Sequence, residues 1–336
     1  MGLSQSTIAL GQIQGRKAAA LVGRGQLDDL IVDPPADTPQ PEAIYRAKIT
    51  RVLAQNGGAF VDLPSGPGYL RRPTAQRGDS VMVQVTGLAE PGKAIPLTDR
   101  PLIKGRTAIA AFDESPLNLS RKIADPATRG ALKAEIAAAF PDVRGVILRA
   151  EALEAEADTR HAELSDLLAL RDTLLATRGT APALLHPGAD AHVQARRDWP
   201  QAEMSDFAAY EVEDLIAAMR SPEVALGPGS ATIEPTRAFV AIDVNTGADT
   251  SPAAGLKANL ALARDLPRQL RCRGLGGQIV IDMAPMPKSQ RGQVEKALGT
   301  ALRADPIPTE IVGWTPLGHM ELQRKRARVP LHSVPM

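Results

Sequence analysis

The chain has 336 residues, 44% of them hydrophobic, with a formal net charge of +1 and a single cysteine, Cys272. That length accommodates two or three domains with real cores, and the lone cysteine excludes an intramolecular disulfide framework or a cysteine-cluster zinc site within one chain, in keeping with a reducing cytoplasm. No apolar run approaches the roughly 20 residues that span a bilayer, and Met1 to Ser6 lacks the charged-then-apolar order of a signal peptide, so a cytoplasmic protein without a membrane segment is expected.

Residues 1 to 33 read as short strands, with apolar alternation at Lys17 to Val22 and Leu27 to Val32, followed by the turn-rich Asp33-Pro34-Pro35-Ala36-Asp37. From Ile44 to Thr98 the pattern is all-β, with runs at 44–53, 58–63, 68–70 and 79–85 separated by Gly, Pro and Asn turns. Several short strands in so brief a stretch predict a small barrel. An α+β stretch follows, with a helix predicted at Ala127 to Phe140, a strand at Gly145 to Arg149 and a long helix from Glu151 to about Thr177, capped near Gly179. A further amphipathic helix is predicted at Ser205 to Met219 with Ser205 as N-cap, and Pro222 to Ser230 reads as a loop. The remainder reads β-α-β-α-β: strand 238–243, helix 255–272, strand 278–283, helix 288–303 and strand 309–314.

Two of those strands, Ala238-Phe239-Val240-Ala241-Ile242-Asp243 and Gln278-Ile279-Val280-Ile281-Asp282, each end in an aspartate. Strands joined through a helix usually run parallel in one sheet, and their C-terminal ends face the crevice where open α/β sheets bind ligands. Two carboxylates brought together there repel unless a positive group lies between them, and a hard divalent cation is the usual solution. The near-neutral net charge hides an asymmetry: residues 150–235 carry 6 Lys/Arg against 16 Asp/Glu, whereas 255–330 carry 13 against 6. A carboxylate pair in basic surroundings suits an anionic substrate.

The ordered series Ala241-Ile242-Asp243-Val244-Asn245-Thr246-Gly247, Asn259-Leu260-Ala261, Arg268-Gln269-Leu270-Arg271, Gly274-Leu275-Gly276-Gly277-Gln278-Ile279-Val280-Ile281-Asp282-Met283, Leu317-Gly318-His319-Met320-Glu321 and Arg324-Lys325-Arg326 resembles the catalytic core of the ribonuclease E/G family. Asp28-Asp29-Leu30-Ile31-Val32, Ile44-Tyr45-Arg46-Ala47-Lys48-Ile49 and Gly58-Ala59-Phe60-Val61-Asp62 extend the resemblance towards the N-terminus. It implies an α/β and α+β multi-subdomain fold. A ribonuclease-H-like subdomain would comprise 1–43 plus 180–232, an inserted OB-type RNA-binding barrel 44–102, a reduced 5′-sensor-like α+β subdomain 103–179, and a DNase-I-like catalytic subdomain, with its β-α-β sheet, 233–336.

The resemblance further implies a Mg²⁺-dependent endoribonuclease, with Mn²⁺ as an alternative metal, that cuts single-stranded RNA to 5′-phosphate and 3′-hydroxyl products in rRNA processing or mRNA decay. Asp243 and Asp282 take the positions of the metal-binding aspartates, and Asn245 that of the asparagine that positions the scissile phosphate or the attacking water. Phe60 and Tyr69 fall where the family holds a base, Lys93 in the same channel, and Arg121 and Lys122 on the RNA path. Arg149 falls in the pocket that senses a 5′-monophosphate, but Ala150 replaces its threonine and Pro308 stands near its second arginine, which implies weak dependence on the RNA 5′ end. Because the family's zinc link needs two cysteines, no zinc is expected, and a monomer or a dimer joined without zinc is. Two other readings stand beside the enzyme: an RNA-binding protein of the same family with little or no catalysis, and a small-molecule phosphohydrolase, which leaves the aromatic-bearing barrel unexplained.

Overall fold

The structure, a computed structural model, describes residues 6–53, 57–71, 75–90, 92–199 and 202–334. Met1 to Gln5, where the leader pattern was sought, lie outside them. The chain packs as two compact units, one formed by residues 1–35 with 201–336 and the other by 36–200. Among the described residues, no helix is long and apolar enough to cross a membrane.

The first unit begins with an antiparallel meander, β1 (Ser6–Ile13), β2 (Arg16–Gly23) and β3 (Gln26–Val32). Its two hairpins turn on Gln14-Gly15 and Arg24-Gly25, all with φ between 52° and 73°, the conformation whose twist matches that of the flanking strands.

The second unit opens with β4 (Ile44–Val52), β5 (Gly58–Leu63), β6 (Gly66–Arg71), β7 (Ser80–Val85) and β8 (Ile95–Thr98). Their order is β4-β5-β6-β8-β7, and the β4–β7 pairing closes a five-stranded barrel of the form expected for an OB-type fold. Ile49, Ala59, Val61, Leu70 and Val83 fill it, each fully or almost fully buried. Next come β9 (Leu102–Lys104), β10 (Ala108–Ala111), β11 (Asn118–Leu119), α1 (Pro126–Ala139), β12 (Val146–Leu148) and α2 (Ala157–Ala176), with sheet order β11-β12-β10-β9. Helix α1 starts where its sequence dictates: Asp125 caps it by accepting from the Thr128 N–H at 2.8 Å, and Pro126 occupies the first turn. β13 (Ala183–His186) then pairs with β4, and α3 (Ala191–Asp198) ends the unit.

Back in the first unit, β14 (Glu203–Asp206) pairs parallel with β1, followed by α4 (Val212–Arg220). The C-terminal part comprises β15 (Glu223–Ala225), β16 (Ser230–Pro235), β17 (Val240–Asn245), α5 (Ala254–Cys272), β18 (Gly277–Asp282), α6 (Arg291–Ala304), β19 (Thr309–Trp314) and β20 (Met320–Arg324). Sheet order is β15-β16-β17-β18-β20-β19, with β17 and β18 parallel and the other pairs antiparallel. Apolar alternation sets its faces. Val240, Ile242, Ile279, Ile281, Met320 and Leu322 turn one way, onto Leu262, Leu266 and Leu298 of the two helices. Each such leucine withdrawn from water contributes about 2 kcal/mol. The intervening Asp243, Asn245 and Asp282 face the other way and are exposed.

Several expectations need correction. The helix predicted from Glu151 starts only at Ala157, after a 3₁₀ turn at Ala150–Leu153. No capping side chain precedes Glu151, and the Arg160 guanidinium donates back to the Ala152 and Ala155 carbonyls, holding that turn. Ser205 caps no helix: it lies in β14, opposite Ala9 of β1, and α4 begins after Glu211, whose left-handed backbone (φ 48°) breaks any continuous helix from 205. Strands β16 and β20 were not predicted, and β20 inserts between β18 and β19.

Part of the basic flank proves internal. Arg324 is fully buried with Asp305 at 2.6 Å, Arg271 reaches the same carboxylate at 3.2 Å, and Asp29 takes Arg328 at 3.2 Å. Burial pulls the Arg324 guanidinium down, with Asp305 opposing the shift. The positive balance of residues 255–330 therefore overstates the surface charge.

Candidate active site

Strand register decides where the two aspartates meet. β17 and β18 are parallel neighbours, and Asp243 stands directly opposite Asp282. Adjacent strands lie about 4.8 Å apart, so two like charges are side by side on the open face, at the C-terminal ends of their strands. Asn245, two residues on and therefore on the same face, donates from Nδ2 to Asp243 Oδ2 at 2.6 Å. One carboxylate oxygen and the opposite aspartate are left to face outward.

β20 adds a neighbour. Its register sets Met320 opposite Ile281, which brings His319 beside Asp282, with Nε2 at 3.8 Å from Oδ1. The turn that presents His319 is closed by the Thr315 N–H donating to the His319 carbonyl at 2.8 Å and by the His319 N–H donating to Thr315 Oγ1 at 3.1 Å.

The segment after Asp282 is pinned from behind. Buried Asn259 of α5 donates to the Ala284 carbonyl at 2.9 Å and accepts from the Ala284 N–H at 3.0 Å. One turn earlier, Gly255 lies so close to this segment that a Cβ would sit 2.0 Å from the Pro285 carbonyl oxygen.

The donor set is suited to a hard cation held mainly by water and substrate. Among the described residues, no group of three or more His, Cys, Asp or Glu side chains could close around a metal. Two exposed carboxylates, neither paired with a Lys or Arg among the described residues, suit instead a hard divalent cation that keeps much of its water.

Other site residues predicted from the sequence lie in the second unit. Phe60 and Tyr69 face each other across β5 and β6, ring centroids 5.7 Å apart and edge to face, and Arg51 of β4 lies 4.8 Å over the Phe60 ring. Tyr69 lies over Gly58, where a Cβ would come within 2.3 Å of its hydroxyl. Lys93 is exposed and pairs with Glu90 at 2.9 Å. Arg121 and Lys122 are exposed in the turn after β11. Arg149 is committed: Nη1 donates to the Gly105 carbonyl at 2.7 Å and to Asp198 at 2.9 Å, and Nε lies 3.5 Å from Glu151. The Arg197 and Arg149 charges outweigh the upward push of burial and hold the Asp198 carboxyl below its usual range.

Sequence reasoning quoted His319 within a motif but gave it no role, and passed over Arg291 and Trp314, which share this end of the sheet. Only the insertion of β20 beside β18 brings His319 to Asp282, and no spacing in the sequence states that pairing.

The sequence model of the ribonuclease E/G family matches residues 102–209 and 199–327. The chain is 27% identical to Ribonuclease E of Haemophilus influenzae over 91% of its own length and 40% of that protein. It is 26% identical to Ribonuclease E of Escherichia coli over 91% of its length and 35% of that protein. It is also 24% identical to Ribonuclease G of Haemophilus influenzae, over 94% of its length and 78% of that protein. The chain thus spans well under half of those two ribonuclease E proteins.

Proposed function

The chain belongs to the ribonuclease E/G family, and from that premise we propose that it is a divalent-metal-dependent endoribonuclease that hydrolyses single-stranded RNA at the Asp243–Asp282 site. The observation that carries the reading is the in-register placement of Asp243 and Asp282 on an open sheet face where, among the described residues, no Lys or Arg pairs with either and only His319 approaches Asp282. Both would hold the cation, Mg²⁺ or Mn²⁺, through hard carboxylate oxygens. When bound, such an ion supplies charge neutralisation at the phosphoryl oxygens and a water of lowered pKa.

The protein's own groups do the rest. Asn245 fixes Asp243 through one amide hydrogen, which leaves its other N–H and its carbonyl oxygen to orient the phosphate or the incoming water. Asn259 keeps the segment after Asp282 from drifting, which preserves the geometry on which in-line attack depends. Water adds to phosphorus and the bond to the 3′-oxygen breaks. The leaving oxygen takes up a proton and the water loses one, giving a 5′-phosphate and a 3′-hydroxyl.

In the second unit, Phe60 and Tyr69 hold a base by stacking, worth about 1–3 kcal/mol per base, with Lys93, Arg121 and Lys122 as backbone contacts. The closed barrel would serve as the OB-type RNA module, the sheet carrying Asp243 and Asp282 as the DNase-I-like catalytic subdomain, and the β1–β3 meander as part of a ribonuclease-H-like one. The setting is cytoplasmic RNA processing or decay.

Dependence on the RNA 5′ end is weak in this reading. Arg149 is already engaged by Asp198, Glu151 and the Gly105 carbonyl, and Ala150 and Pro308 contribute no side-chain donor. Comparable cleavage of 5′-monophosphate, 5′-triphosphate and 5′-hydroxyl forms of one RNA is expected; a large preference for the monophosphate would contradict it. The activity itself is tested by cleavage of single-stranded RNA with Mg²⁺ against EDTA. Salt-dependent RNA binding without cleavage would leave a binding protein instead.

A further inference from the structure

Beyond the carboxylates, the same end of the C-terminal sheet holds a cation that the site just described does not use. Arg291, at the start of α6, lays its guanidinium 4.3 Å over the indole of Trp314, at the end of β19. The indole is itself fixed, its Nε1–H donating to Glu295 one turn further along α6. Arg291 also abuts the hairpin turn that presents His319. Gly318 adopts φ 96°, and a Cβ there would lie 2.9 Å from Arg291 Nη2. The guanidinium thus lies against both an aromatic ring and a glycine of the turn, one residue from the histidine that approaches Asp282.

What that seat lacks is a partner for the charge. Arg291 is half-buried, yet among the described residues no carboxylate pairs with its guanidinium, and no side-chain hydrogen bond is made by it. Other arginines of the same unit are engaged: Arg268 with Asp265 at 2.6 Å, Arg271 and Arg324 with Asp305. An arginine held against an aromatic ring has its planar fork of donors pre-placed and loses little freedom when it takes a bidentate oxyanion. Leu317, at the tip of the adjoining turn, is 85% exposed and adds no charge there.

We propose that Arg291, seated on Trp314, contacts a non-scissile phosphate of the bound RNA next to the bond cut at Asp243 and Asp282. Arg291 is then a substrate-binding residue, and Trp314 and Gly318 are positioning residues for it. This rests on the reading of the carboxylate pair as the cleavage centre.

The test uses a short fluorescent single-stranded RNA with one cleavage position, cut in Mg²⁺ by wild type, Arg291→Met, Arg291→Lys and Trp314→Leu, with thermal melting to confirm that each variant is folded. Arg291→Met is expected to lower kcat/KM about ten- to hundredfold, chiefly through KM, and to flatten the dependence of log affinity on log salt by about 0.7, the loss of one phosphate contact to a single strand. Arg291→Lys should retain the salt slope without the full affinity, and Trp314→Leu should weaken binding in the same direction. A series of RNAs with one neutral methylphosphonate linkage each localises the contact: wild type should be sensitive at a linkage adjacent to the scissile one, and Arg291→Met insensitive there. An unchanged salt slope and methylphosphonate profile in Arg291→Met overturns the proposal, even if activity falls. Repeating the binding measurement in an Asp243→Asn background separates the two claims. If wild type cuts no RNA, the cleavage reading fails, while the effect of Arg291→Met on the salt slope still decides for or against the phosphate contact.

Discussion

Asp243 and Asp282 are an unusual pair energetically: like charges opposite each other on adjacent strands cost stability unless neutralised. Both are exposed, so replacing either with asparagine should leave the melting temperature unchanged or slightly raised in the absence of metal. The same change should reduce cleavage at least about a hundredfold, the scale on which losing one group that stabilises developing charge is felt. Thermal melts in EDTA, run beside cleavage assays in Mg²⁺, read both effects; a large loss of stability would mean that the carboxylates are structural. Cys272 gives the opposite prediction. It is buried at the end of α5, its thiol pushed up to about 12 by burial, so thiol-specific reagents should label it slowly in the native protein and promptly once urea unfolds it.

At the scale of elements, the two aspartates were legible because apolar alternation in β17 and β18 turns Ile242 and Ile281 inward and leaves the next residue facing out. Their register is local to one β-α-β unit, which sequence order nearly dictates. β14 and β20 were not legible for the converse reason. β14 is a short strand that pairs, among the described residues, with β1, almost two hundred residues earlier, and the polar sequence around Ser205 satisfies a helical pattern as well as a strand. β20 gains its place only by inserting between β18 and β19, and its last residue, Arg324, read as part of a basic motif, is a buried ion partner of Asp305. That pairing predicts that Asp305→Ala, which leaves the buried Arg324 guanidinium without its carboxylate, costs about 3–5 kcal/mol in urea unfolding. Asn259→Ala should cost about 1–3 kcal/mol for each Ala284 backbone group it leaves unpaired, and should lower kcat more than it raises KM, because the segment behind Asp282 loosens.

For the molecule as a whole, acid sensitivity follows from the ion network in the second unit. Burial pushes the Glu42 and Asp198 carboxyls up, but Arg197 with Lys104 at Glu42, and Arg197 with Arg149 at Asp198, more than reverse it, so both end below the usual carboxylate range. A folded value below the unfolded one means that their stabilisation is fully present above the ordinary carboxylate pKa of about 4 and is lost as pH falls through the depressed folded values. Melting temperature should therefore decline as pH drops below about 4, and Glu42→Gln should lower stability at neutral pH while flattening that decline. The acidic balance of residues 150–235 was legible in the sequence; that Asp198 is committed to Arg149, 49 positions away, was not. Whether the Asp243–Asp282 pair cuts RNA with a divalent cation is decided by cleavage of one single-stranded RNA by wild type, Asp243→Asn and Asp282→Asn in Mg²⁺ and in EDTA. Cleavage to 5′-phosphate ends is expected from wild type in Mg²⁺ alone, and virtually none from either variant. Undiminished cleavage by both variants, or by wild type in EDTA, would contradict that role of the pair.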